Sequence, residues 1–440
     1  MQDNKMTLGD TFGLGFMTFA FFLGAGNLIF PPFAGMLAGE NMSWAMLGFL
    51  ITAVGLPLSG LIAVAKTNGN VMSLLPPLAA TALAVAIYII IGPAFAAPRT
   101  GLVAFEIGVR PFLTSPNESI EIGSITLNFP QMLSTFIFFA VAVALALNPG
   151  KLLDNIGKLL TPILIGLLVI LSISVILFSG AEPSVATGGY HDNPLSKGII
   201  EGYNTMDTLA SLMFGMLIID VLKKKGVTEA KAQTSYLIRA AFIAAAGLAF
   251  VYISLFYLGS IAGELANGSE NGGQILMSYV DMRFGTMGAI LLSAVVSLAC
   301  LTTAVGLLVA CSEFFEELVP AASYRFLVIF FGCICALVAN VGLTQLISIS
   351  IPVLVCIYPV AIALVAVTYI TPRLSRPEFS HRMVLSVALV FGLVDGLKAA
   401  GVDVHVFDFM PLFDQGMAWV IPTAVAMIIC TALPAKRNVS

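Results

Sequence analysis

Charge is what this sequence has least of. Asp, Glu, Lys and Arg make up 10% of its 440 residues, where a soluble globular domain carries about 25%. The net charge is −4 and there is no basic tract of the kind that would suggest a nucleic-acid partner. Histidine is nearly absent. His191, His381 and His405 all fall in or near the connections between apolar runs. No nucleophile and base therefore share such a run, as a hydrolase or transferase would require. Cysteine is sparse too: Cys300, Cys311, Cys333, Cys335, Cys356 and Cys430. All lie in or at the ends of apolar runs, and Cys333 and Cys335 form no CxxC, so they read as small buried hydrophobes. The short polar start, MQDNKMTLGD, is followed by no small-residue cleavage site. The first apolar run is expected to be a retained span, not a removable signal.

What the chain does have is apolar surface. Hydrophobic residues make up 59% and the mean hydropathy is +1.00. No water-soluble core could hide that much, so lipid is the expected solvent. A span needs about 20 mostly apolar residues. Twelve such runs lie near 8–38, 44–65, 78–98, 130–148, 157–179, 198–222, 233–259, 286–311, 324–341, 344–370, 382–398 and 415–433. The expected fold is an all-α polytopic membrane protein, one domain over 1–440, since lipid leaves no room for open sheets.

Lys and Arg prefer cytoplasmic loops. With both termini placed inside, 15 of the 20 fall on the inner side, among them Lys5, Lys66, Lys151, Lys158, Lys223, Lys224, Lys225, Lys436 and Arg437. Only Arg99, Arg110, Lys197, Arg283 and Lys398 fall outside. The longer connections, 99–129, 180–197 and 259–283, face outward and read equally as lids or as plain connectors. No feature of the sequence sets the oligomeric state.

The first run is interrupted. FLGAGNLIFPP, Phe22 to Pro32, clusters Gly24 and Gly26 around Ala25, followed by Asn27 and two prolines. Gly lowers helix stability by about 1 kcal/mol against Ala, and Asn is also a poor helix former. An unwound stretch in lipid is tolerated only where its backbone lines a protein-enclosed cavity. There the free N–H groups of a half-helix suit a carboxylate, and free carbonyls suit a cation. The other reading is a seam of small residues between helices.

The sixth run carries a second interruption, EGYNTMDTLASLMFG, Glu201 to Gly215. Paired breaks in corresponding positions mark transporters built from inverted repeats. Asp207, deep in a span, is read either as part of a pathway or as the cap of a restarting helix. The eighth run holds SLACLTTAVGL, in which Thr302 and Thr303 offer hydroxyls to a hard cation or to their own helix backbone.

These two long motifs and the twelve-run layout resemble the bacterial branched-chain amino acid:cation symporter family, across nearly the whole chain. That family is similar to the superfamily of the bacterial leucine transporter. The resemblance implies a five-plus-five inverted repeat, about 8–180 and 198–370, with broken helices one and six and two extra helices within 382–433. It implies a secondary symporter of a bacterial inner membrane, not an enzyme. Its substrates would be leucine, isoleucine and valine, with Na⁺ as coupling ion; a proton-coupled carrier on the same scaffold is the alternative.

The resemblance also distributes roles. Gly24-Ala25-Gly26-Asn27 matches the relatives' Gly-x-Gly-Asn, which places the substrate carboxylate on the amides of Ala25 and Gly26. The implied sodium ligands are Ala20, Leu23, Ala299, Thr302 and Thr303. Tyr203-Asn204-Thr205-Met206-Asp207 matches the spacing of Phe-x-Gly-x-Glu with three substitutions, and its carbonyls would take the substrate ammonium. Thr205 departs from the pattern's Gly. For a second sodium site only Phe22 and Asn27 match. Apolar side chains of runs three, six, eight and ten would enclose the aliphatic tail.

Overall fold

The computed structural model describes residues 6–116, 118–122, 125–148, 161–177, 182–266 and 268–434. Lys5, Lys151, Lys158, Lys436, Arg437 and the start of the fifth run lie outside the described residues. Helix dominates. The exception is a hairpin, β1 (Ser119–Ile122) paired antiparallel with β2 (Ile125–Asn128), within the connection before the fourth run.

The first run is two helices, α1 (Leu8–Phe22) and α2 (Ala25–Ala38), parted at Leu23 and Gly24. The second is α3 (Met42–Leu50), a wide π-type turn over Ile51–Gly55, and α4 (Leu56–Lys66). The third is α5 (Pro77–Ile89), a second wide turn over Ile90–Ala94, and α6 (Ala96–Gly108). Then come α7 (Phe129–Ala146), α8 (Thr161–Leu177) and the single turn α9 (Gly189–Asp192). The sixth run is α10 (Pro194–Tyr203) and α11 (Asp207–Lys224). The rest are α12 (Ala230–Ser260), α13 (Gly272–Leu318, kinked at Gly285), α14 (Tyr324–Val338), α15 (Leu343–Ile370), α16 (Pro377–Ala399) and α17 (Val420–Ala432).

Eight helical segments of the described residues are long and apolar enough to cross a membrane. The twelve expected runs do not map one to one onto them. The first run is cut by its break, leaving α1 with only 15 residues. α2 through α4 form one helical segment over Ala25–Lys66. The last helix has 13 residues where 415–433 was expected.

The outer faces are lipid-like. On α7, Leu133, Phe136, Ile137 and Val141 form an exposed stripe at helical spacing. On α8, Ile170, Ile173 and Ile176 do the same. Such stripes would drive aggregation in water. This is a multi-pass membrane protein.

Two expectations about connections need correcting. Arg99 is not in a loop. The third run continues past Pro98 to Gly108 because Pro98 sits in the first turn of α6, where a missing N–H costs nothing. The connection 259–283 also contains helix, the first part of α13, whose Asn271 side chain accepts from the Gln274 N–H at 3.1 Å.

Glycines set how closely the helices pack. A Cβ on Gly35 would meet the backbone of Phe256, and one on Gly259 the backbone of Pro32, so α2 and α12 touch main chain to main chain. Gly48 against Leu195 and Gly198 against Ala45 join α3 to α10 in the same way. Around α1 and α11 the neighbours are side chains instead: Ile243 at Gly15, Phe19 at Gly247, Val64 at Gly215.

Candidate functional site between the two broken helices

The first break begins at Leu23, whose ψ of 78 leaves the helix. Gly24 is extended. The Asn27 side chain reaches back to accept from the Gly24 N–H at 3.1 Å, which fixes the start of α2. The next amides, those of Ala25 and Gly26, open α2 and have no partner within it. Pro31 and Pro32 then lack the N–H groups that would bond the carbonyls of Asn27 and Leu28.

The second break runs over Asn204–Met206. Met206 holds φ 64, ψ 10, the left-handed region. For a residue with a Cβ this conformation costs about 1–3 kcal/mol and persists only where its surroundings impose it.

Asp207 is the first residue of α11, not its cap; Met206 holds the cap position without a side-chain bond, and Thr205 Oγ1 accepts from the Asp207 N–H at 3.4 Å. The cap reading is therefore set aside. The carboxylate turns across to the other break instead. Its Oδ2 accepts from Asn27 Nδ2 at 2.7 Å and from the Tyr252 hydroxyl at 2.7 Å. Asn27 and Tyr252 also contact each other. All three are buried, and together they tie α2, α11 and α12. Tyr252 is fixed by an edge-on contact with Phe49 at 5.3 Å. Nothing in the sequence singled it out among the other aromatics of its long apolar helix.

Between the breaks lies a cavity of about 30 Å³, lined by Ala25, Gly26, Asn27, Thr205, Met206 and Asp207. That volume holds a water but not an amino acid. Phe21, Phe22, Ile91, Ala210, Phe214 and Leu307 supply the apolar part of the wall. They come from runs one, three, six and eight. Run ten, expected to contribute, gives no side chain to this wall. Its Tyr358 stacks on Tyr203 at 4.4 Å, which keeps Tyr203 out of the lining. Asn204 faces a separate vestibule of about 320 Å³, with Phe30, Phe33, Glu201, Glu270 and Thr344. A second vestibule of about 350 Å³ lies by the ends of α4 and α11, with Asn70, Tyr88, Asp220, Glu313 and Glu317. A groove between α8 and α13 is lined by apolar side chains such as Leu168, Met287 and Leu291 and offers nothing to a zwitterion.

Beside the cavity, the cation candidates partly converge. Thr303 Oγ1 lies 3.4 Å from the carbonyl of Ala20 and 3.4 Å from that of Leu23. Two carbonyls and a hydroxyl form a neutral oxygen set suited to a hard cation. Thr302 donates to the carbonyl of Ala299 at 2.9 Å, a bond within its own helix. Ala299, Thr302 and Thr303 share one face of α13 at i, i+3, i+4 spacing. Gly24 completes the packing: a Cβ there would come within 3.0 Å of Thr303 Cγ2 and 3.3 Å of its Oγ1.

Arg99 is the residue the sequence reading misplaced. It is 2% exposed and lines the cavity. Its Nη1 donates to the carbonyl of Asn204 at 2.7 Å and its Nη2 to Ser350 Oγ at 3.1 Å. The guanidinium lies 5.1 Å from the centroid of the Phe30 ring. The Asn204 carbonyl, expected to be free for an ammonium, is thus occupied.

Paired helix breaks around a small cavity with polar groups in a largely apolar wall, in a helical membrane protein with a vestibule on either side, define a membrane carrier. The chain matches the branched-chain amino acid transport protein family over residues 7–437, and it belongs to that family. It is 45% identical over 432 residues to the branched-chain amino acid transport system 2 carrier protein of Pseudomonas aeruginosa, covering 96% of this chain and 95% of that one. It is 42% identical over 426 residues to the branched-chain amino acid permease BrnQ of Escherichia coli K12, covering 96% and 94%. Among solved structures it resembles a Na⁺-coupled sialic acid symporter in a substrate-bound outward-open state. There the TM-score is 0.61 at 14% identity, over 97% of this chain and 91% of that one. It also resembles MhsT in complex with L-phenylalanine, with a TM-score of 0.55 at 16% identity, over 96% and 98%. These likenesses concern the fold. The relatives are transport proteins, not enzymes.

Proposed function

We propose that the protein is a secondary symporter that imports leucine, isoleucine or valine together with Na⁺ across a bacterial inner membrane. The arrangement would be twelve spans with cytoplasmic termini, two inverted repeats of five and two further helices. The breaks in the first and sixth runs support this repeat. The Lys and Arg asymmetry supports the span count and the cytoplasmic termini; it becomes 15 inside against 4 outside once Arg99 is removed from the outer five.

The observation that carries the substrate reading is the cavity between the two breaks. Ala25 and Gly26 amides are directed at a carboxylate, Asn27, Thr205, Met206 and Asp207 surround the ammonium, and aromatic and aliphatic walls take the tail. Tyr203 and Asn204 shape the site from behind. Such a pocket separates side chains differing by one methylene by only about 1–3 kcal/mol, so the three substrates should compete. The cation would sit among Ala20, Leu23 and Thr303, with Ala299 and Thr302 on the same face. One charge moving through 100 mV provides about 2.3 kcal/mol and a tenfold gradient about 1.4. Together they support accumulation of roughly several hundredfold.

The test is leucine-evoked current in proteoliposomes at fixed pH, with and without Na⁺. Current that needs Na⁺ is the expected result. One observation favours proton coupling: Asp207 is a buried carboxylate bonded by neutral groups, Asn27 and Tyr252 among them. Full current without Na⁺, driven by a pH gradient, would move the coupling role to that residue.

Thr303→Ala removes the hydroxyl of the proposed cation site. The Na⁺ concentration for half-maximal uptake should rise about tenfold, the loss of one net hydrogen-bond-sized interaction. Uptake at saturating Na⁺ should change little. An unchanged Na⁺ dependence would leave Thr303 as a packing residue under Gly24.

A further inference from the structure

Resting on that substrate reading, we infer that Arg99 is a substrate-binding residue whose guanidinium pairs with the α-carboxylate of the transported amino acid. Arg99 is a buried cation with no carboxylate within ion-pair distance among the described residues; Glu201 acts on it only through space. Its two partners, the Asn204 carbonyl and the Ser350 hydroxyl, are both neutral. Its Nε–H, also buried, meets no acceptor among the described residues. No ion pair joins it to Asp207, although both line the same cavity. A buried charge is costly unless it is paired and hydrogen-bonded. A zwitterion entering between the breaks supplies an anion in direct contact, and a guanidinium takes a carboxylate through two parallel N–H bonds.

Position supports the same assignment. A Cβ on Gly26 would lie 3.4 Å from the Asn204 oxygen, and that oxygen lies 2.7 Å from Arg99 Nη1. The guanidinium thus stands next to the α2 amides proposed to hold the same carboxylate. Asn204 and Phe30, which Arg99 contacts, line the vestibule on the α2 side, while Arg99 lines the cavity. A substrate passing from one to the other meets this cation first. Asp207 occupies another part of the cavity wall, held by Asn27 and Tyr252. Cation and anion, kept apart on one small cavity, match the dipole of an amino acid and orient it carboxylate toward α6.

The experiment compares leucine with leucinamide, which keeps the side chain and amine but has no carboxylate. Binding of both to purified protein in detergent is measured by calorimetry and by ligand-dependent melting. In Arg99→Gln, leucine affinity should fall at least a hundredfold while the weak leucinamide affinity changes less than threefold. Arg99→Lys keeps the charge but not the fork. It should fall about tenfold for leucine, again with leucinamide unchanged, and it serves if the Gln variant does not fold. Equal losses for the two ligands, or wild-type leucine affinity in either variant, would overturn the assignment and leave Arg99 as a brace between Asn204 and Ser350. Wild-type protein that binds no leucine would instead overturn the proposed substrate itself.

Discussion

Gly26→Leu should yield a folded protein that binds no leucine. A Cβ at position 26 already meets Phe30 Cε2 at 3.3 Å and the Asn204 oxygen at 3.4 Å, so alanine is tight but possible. The three further carbons of leucine have only the cavity to enter, about 30 Å³ as it stands. They would stand where the α2 amides and Arg99 converge. Overpacking costs about 1–3 kcal/mol, which a protein of this size tolerates. Leucine affinity, by contrast, should fall by more than about a hundredfold, since the carboxylate loses charge-assisted hydrogen bonds of about 1.5–3 kcal/mol each. Gly26→Ala should lie between the two. Thermal melting with and without leucine separates the outcomes. A lowered melting temperature with intact leucine stabilisation would mean that the Gly24–Asn27 break is a packing seam.

Asp207→Asn is expected to be the second large effect. Both bonds to Asn27 and Tyr252 end on one oxygen, Oδ2. An asparagine carbonyl placed there accepts both and keeps α2, α11 and α12 tied. The substitution therefore removes charge with little loss of architecture. If the carboxylate faces the substrate ammonium, leucine affinity should fall roughly 10- to 150-fold, the range of a hydrogen bond to a charged group, with the melting temperature nearly unchanged. Asp207→Leu should lose stability as well, because it leaves the buried Tyr252 hydroxyl without its acceptor and takes one of two acceptors from Asn27 Nδ2. Near wild-type uptake by Asp207→Asn would reduce Asp207 to a structural knot.

Both breaks could be read from the chain. Gly24, Gly26 and Asn27 are weak helix formers inside an apolar run, and Asn204, Thr205 and Asp207 are polar inside another. Local propensity carries that information. What could not be read depends on contacts between distant segments. Asp207 looked like a cap because Asp favours that position; only tertiary packing turns its carboxylate toward Asn27, 180 residues away. Tyr252 carries no local signal, since its hydroxyl matters only because α12 passes behind both breaks. Arg99 did carry a signal, a charge inside a stretch that stays mostly apolar to Phe105. It was lost because Gly92, Pro93 and Pro98 resemble the end of a helix. The structure places the first two in a wide turn and the third in the first turn of the next helix. The adjacent threonines were ambiguous for the same reason: Thr302 turns to its own backbone and Thr303 to another helix.

The glycine contacts carry a mechanical meaning. Where α2 meets α12 and α3 meets α10, main chain rests on main chain, and such joints behave like rivets. They have no rotamers to change, so neither half-helix slides past its neighbour without lifting away from it. Around α1 and α11 the glycines face Ile243, Phe19 and Val64, and these joints are more like bearings, able to creep as side chains hop between wells. The two ends of the pathway would then open with different stiffness. Motion at the riveted end would be a concerted swing of paired helices, while the other end would yield in small, quick steps.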